Sequence, residues 1–195
     1  EEEIFNLKEL VEIFDIKKVG KSGAKFDPDK ARWFNQQYLS KMPNEEIAEE
    51  IKLDLEKREI FTSVDLFAVA VQMKERVAFV KDIYSSAKYF FETPTEFDAK
   101  IVRKKWKDQS SQIVKGLIEV FESVKEFKAD FIEDGFKKYL NEKELGFGAA
   151  MISLRLSITG TGGGPSLFNI AEIIGKQETL KRMRENPERI NDLKT

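Results

Sequence analysis

The chain is expected to be all-α. Apolar residues recur at three- and four-residue steps almost throughout, and no sustained alternation with a period of two appears. Asn, Asp or Ser also repeatedly stands just before an apolar run, in the position of a helix cap. The pattern gives roughly eight to eleven helices, with no internal repeat and no low-complexity tract.

In chain order, Leu7, Leu10, Val11 and Phe14 form one stripe behind an Asn6 cap. Asp27-Pro28 has the cap-then-proline form of a second start, after which Trp33, Phe34, Gln37 and Tyr38 share a face. Asn44 is placed to cap a charged helix carrying Ile47, Ile51 and Leu55. Ser63 is read as the cap of a long apolar segment reaching about Phe91, which Pro94 ends. Ile113, Leu117, Phe121 and Val124 mark a further helix, and Ile132, Phe136 and Tyr139 another. Last comes an apolar run with one embedded Arg, Leu154-Arg155-Leu156, leading into Gly160-Thr161-Gly162-Gly163-Gly164. Pro165 then opens an amphipathic segment through Ile174 as a first helical residue.

This last turn is the most informative local feature. Glycine lets a backbone approach a ligand closely, and the amides of a helix start suit phosphates or base edges. A helix-to-helix connection that merely needs flexible residues is the competing explanation.

Composition excludes whole classes of chemistry. With 195 residues, 41% of them apolar and 16 of them Phe, there is material for a substantial core in one to three small domains. No Cys and no His are present, so a thiol nucleophile, a histidine base, a Cys/His zinc site and a Ser-His-Asp triad are impossible. The lack of Cys and of any long apolar run makes a cytoplasmic, membrane-free setting the expectation. The chain opens on Glu1 instead of Met and is read as part of something longer. Lys and Arg number 33 against 35 Asp and Glu, so no global positive field advertises nucleic acid. Local basic clusters stand at Lys17, Lys18, Lys21 and Lys25, at Arg103-Lys104-Lys105, and at Lys181, Arg182 and Arg184. Such clusters also coat ordinary solvated helix faces.

Two nucleotide-binding motifs fail. Gly20-Lys21-Ser22 ends like a P-loop, but the glycine required at position 15 is Asp15 and no strand precedes it. The glycines after Thr159 begin like a dinucleotide fingerprint, yet Pro165 fills its closing position. The paired carboxylates Glu45-Glu46 and Glu49-Glu50 lie on a charged helix face, which suits solvated residues better than a tuned acid-base pair.

Two separated stretches carry a resemblance. Phe14-Asp15-Ile16-Lys17-Lys18-Val19-Gly20-Lys21-Ser22-Gly23-Ala24-Lys25-Phe26-Asp27, followed by Trp33-Phe34-Asn35 and Tyr38-Leu39, resembles the stem-contact region of bacterial glutamyl-tRNA synthetases. Leu154-Arg155, Thr159-Gly160, Gly164-Pro165-Ser166-Leu167-Phe168 and Ile174-Gly175-Lys176-Gln177-Glu178 resemble that family's C-terminal anticodon-binding signature, in the same order.

The resemblance implies an all-α arrangement: a multi-helix stem-contact portion over residues 1–58, then a helical anticodon-binding domain of two subdomains, 59–135 and 136–195. It implies that Arg155, Gly164, Pro165, Leu167 and Arg76 meet anticodon nucleotides, while Lys18, Lys21 and Lys25 contact the tRNA stem or its phosphates. The implied partner is glutamate tRNA, with glutamine tRNA left open; neither DNA nor membrane is expected. The family's parent enzyme ligates glutamate to tRNA using ATP and Mg through a class I catalytic domain. That domain's HIGH and KMSKS motifs are not in this chain, so no catalytic residue, metal or cofactor is expected here, and the fragment is expected to be inactive by itself. The alternative is a helical protein-interaction module without RNA binding, in which Arg155 and the glycine turn only join packed helices.

Overall fold

The computed structural model describes residues 3–193 except 21, 22 and 24, so Lys21 and Ser22 lie outside the described residues. The described residues form eleven α-helices and no β-strand. They are α1 (Leu7–Ile13), α2 (Pro28–Lys41), α3 (Asn44–Lys57), α4 (Leu66–Met73), α5 (Asp82–Ser86), α6 (Ala99–Lys105), α7 (Ser110–Ser123), α8 (Ala129–Glu142), α9 (Phe147–Thr159), α10 (Leu167–Ile174) and α11 (Lys176–Asp192). Short 3-10 turns cover Ile16–Lys18 and Lys88–Phe90.

Two of the three Asx starts read from the sequence are present as hydrogen bonds. Asn6 accepts from the Glu9 amide and Glu9 returns the bond to the Asn6 amide, closing a capping box on α1. Asp27 accepts from the amides of Asp29 and Lys30, with Pro28 as the first residue of α2.

Three expectations are corrected. Asn44 is the first residue of α3 and makes no cap bond; Pro43 takes the cap position. Asp65, two residues after Ser63, caps α4 through the amides of Phe67 and Ala68. The long apolar segment is broken after Met73, because Asn35 and Gln36 of α2 donate to the Ala78 and Glu75 carbonyls, which an unbroken helix would use internally. The stripe of α1 covers no core: Leu7 is 79% exposed and Phe14 69%.

The packed body starts at Leu39 and runs to Ile190. α3 lies against α4 and α5; α7 packs against α8, α9 and α11, and α10 against α8 and α11. Ile132, Phe136 and Leu140 place one face of α8 in this core. The seam expected between residues 135 and 136 therefore falls inside α8. At the end of α6, the buried Trp106 donates its indole N–H to Asn191 Oδ1 at 2.8 Å, tying α6 to the end of α11, whereas Trp33 on α2 is exposed. Among the described residues no helix is long and apolar enough to cross a membrane.

Candidate nucleic-acid interface

Leu154, Leu156 and Ile158 anchor α9 in the core, and the helix ends on Gly160 in the left-handed conformation, φ 73°. A β-carbon on Gly160 would lie 2.5 Å from the Glu96 carbonyl oxygen, and one on Gly162 would lie 2.9 Å from the Ile101 side chain. The Gly160 carbonyl also accepts the Asp98 amide at 2.8 Å. The turn is thus pressed against the chain leading into α6, and of its four glycines only Gly163 faces open space. Gly164 has φ 134°, a conformation restricted to glycine.

Arg155 points from α9 back across this turn. Its Nη2 donates to the Pro165 carbonyl at 2.8 Å, while its Nη1 is buried with no hydrogen-bond partner. Burial lowers the Arg155 pKa, the nearby Arg76 charge adds to that, and Tyr89 opposes it. Arg76 itself is exposed, just after α4. Burial raises the Tyr89 hydroxyl, with Arg155 and Arg76 pulling it down.

The fold brings Arg155, Gly164 and Pro165 together. Pro165 and Leu167 are buried, so the apolar surface expected of them is part of the core; what Pro165 presents to Arg155 is its carbonyl. Pro165 also stands two residues before α10, with Ser166 at the cap position, instead of opening the helix. Lys18 and Lys25 are exposed on the N-terminal segment and hydrogen-bond to none of these residues.

Two residues of the site escaped the sequence reading. Tyr89 sits in Lys88-Tyr89-Phe90-Phe91, a run that reads as plain core. Arg182 reads as one member of a solvated basic cluster, yet it is only 2% exposed. Its guanidinium donates to the carbonyls of Tyr89 (2.7 Å), Ile158 (3.0 Å) and Glu92 (3.1 Å), and to Glu178 Oε1 at 2.8 Å. It thereby binds the Tyr89 segment to the end of α9. Only the four-residue step from Glu178 to Arg182 hinted at pairing.

This constellation sits at the turn whose sequence led to the resemblance, and comparison with known proteins agrees. The family model of the anticodon binding domain matches residues 28–186. The chain belongs to the anticodon binding domain family. It is 41% identical over 186 residues to a glutamate–tRNA ligase of Christiangramia forsetii, covering 95% of this chain and 37% of that protein. A Flavobacterium johnsoniae glutamate–tRNA ligase is 40% identical with the same coverage. A crystal structure of a glutamate tRNA ligase from Elizabethkingia meningosepticum, in complex with its amino acid, superposes with a TM-score of 0.85 at 39% identity. That match covers 95% of this chain and 36% of that one. The anticodon-binding domain described here thus spans little more than a third of the length of these relatives.

Proposed function

We propose that this chain is the tRNA-reading part of a glutamate–tRNA ligase, and that the α9–α10 turn meets the anticodon. The observation that carries the reading is the Arg155 guanidinium, whose Nη1 lies 3.4 Å from where a β-carbon on the exposed Gly164 would stand and is buried with no hydrogen-bond partner. Buried donors are rarely left without a partner, and a base edge or phosphate oxygen supplies the missing acceptor. In this reading Arg155 and Arg76 contact anticodon nucleotides, Gly164 lets the strand approach, and buried Pro165 and Leu167 fix the shape of the turn. Lys18, Lys21 and Lys25 contact the stem phosphates. The partner is glutamate tRNA, with glutamine tRNA the second candidate, in the cytoplasm. Ligation of glutamate with ATP and Mg belongs to the full-length protein. Among the described residues no group of three or more His, Cys, Asp or Glu could hold a metal ion. The three-portion division into residues 1–58, 59–135 and 136–195 belongs to the same reading.

The test is tRNA binding by variants first shown to be folded by circular dichroism. Arg155→Ala should cost about 1–3 kcal/mol against glutamate tRNA and far less against a tRNA with an unrelated anticodon. Replacing Lys18 or Lys21 should weaken both tRNAs alike, because phosphate contacts carry no sequence information. A folded Arg155→Ala chain that binds both tRNAs like the unaltered chain would leave the turn as a connector and favour the protein-interaction alternative.

A further inference from the structure

Tyr89 is built into the site in an unusual way. It is only 5% exposed, its ring lies 5.0 Å from that of Phe90, and its carbonyl is fixed by Arg182. The hydroxyls of Tyr38 and Tyr84 are spent on the Phe5 carbonyl and the Glu92 carboxylate. The Tyr89 hydroxyl makes no such bond to the described residues and instead lines the notch left by the missing side chain of Gly164. A β-carbon there would stand 3.0 Å from Tyr89 Oη and 3.4 Å from Arg155 Nη1. Two uncommitted polar groups, held by the core, thus border one exposed glycine. A hydroxyl beside the Arg155 guanidinium turns its oxygen toward the positive charge and offers its proton outward. The notch therefore presents two donors.

Resting on the tRNA-binding reading above, we infer that Tyr89 is a further specificity-determining residue. Its hydroxyl and Arg155 Nη1 together donate to the acceptor edge of one unstacked nucleobase seated at Gly164. Such a pair accepts a carbonyl-bearing base and disfavours adenine, whose exocyclic amine turns a donor toward donors. Sequence reading misses Tyr89 because nothing in an aromatic run marks which ring keeps an idle hydroxyl.

The experiment titrates the chain and its Tyr89→Phe variant with anticodon stem-loop RNAs changed one anticodon base at a time, at two salt concentrations. Tyr89→Phe removes no protein hydrogen bond, so it should melt with the unaltered chain. It should bind the preferred RNA about 3- to 10-fold more weakly, the size of one net hydrogen bond. The preference against adenine should shrink by the same factor at a single anticodon position, with the other positions and the salt dependence unchanged. Equal binding of every RNA by both chains overturns the inference while leaving the tRNA-binding reading intact. Uniform weakening across all RNAs also overturns it, since the hydroxyl would then touch a phosphate or ribose. If the unaltered chain binds no stem-loop, the tRNA-binding reading fails and this inference with it. Should Tyr89→Phe melt early, Arg155→Lys, which keeps the charge but loses the planar fork, must show the same single-position loss; its failure to do so is also contrary evidence.

Discussion

Glu178 shows how a single side chain serves the site from behind. Burial works to raise its pKa, but hydrogen bonds from Thr93 and Arg182 outweigh it and hold the carboxyl below its ordinary value of 4.5. A carboxyl depressed by folding stabilises the protein above the unfolded pKa and loses that contribution as pH falls through the folded one. Thermal melts of the unaltered chain and Glu178→Gln should therefore differ most above pH 4.5 and converge as the solution is acidified below it. A gap that stayed constant down to strong acid would mean that the ionised carboxylate is not what secures Arg182. Charge was visible at these positions in the sequence; burial was not, because the carbonyls that receive Arg182 come from residues 24 to 93 positions away.

At the scale of elements, the glycines of the α9–α10 turn separate into two kinds. Gly160 combines φ 73° with a backbone oxygen 2.5 Å from any added β-carbon, so Gly160→Ala should cost about 2–4 kcal/mol in chemical denaturation. Gly163 meets nothing, and Gly163→Ala should leave stability unchanged or raise it by about 0.4–1 kcal/mol. Equal effects at the two positions would contradict the packing described. Sequence alone shows four glycines of one type, since the oxygen that distinguishes them belongs to Glu96. The same boundary between local and distant causes runs through the helices. Asn6 and Asp27 were readable as caps because their bonds reach only two or three residues ahead. The break after Met73 was not, because α2 imposes it from more than thirty residues away. For the candidate site, Arg155, Gly164, Pro165 and Arg76 were legible through motif resemblance, while Tyr89 and Arg182 depend on contacts that no spacing rule encodes.

Across the whole molecule the net charge of -2 sets how RNA binding should respond to salt. With basic residues confined to local clusters, few phosphates are neutralised. Each contributes about 0.7–0.9 to the log–log slope, so the slope should be roughly two to five in magnitude. A titration of tRNA across salt concentrations giving a slope near ten would mean broad electrostatic adhesion in place of selective reading.

The placement of the two tryptophans gives the chain a built-in optical address system. Trp106 lies in the dry interior with its indole N–H bound to Asn191, and Trp33 stands in water on α2. The first emits from an apolar environment and the second from an aqueous one, so a loosening of the C-terminal end shifts the blue component alone. Quenching by a solute that cannot enter the core acts first on Trp33. The fluorescence of one unlabelled sample therefore resolves events at the N-terminal helices from events where α11 closes the core.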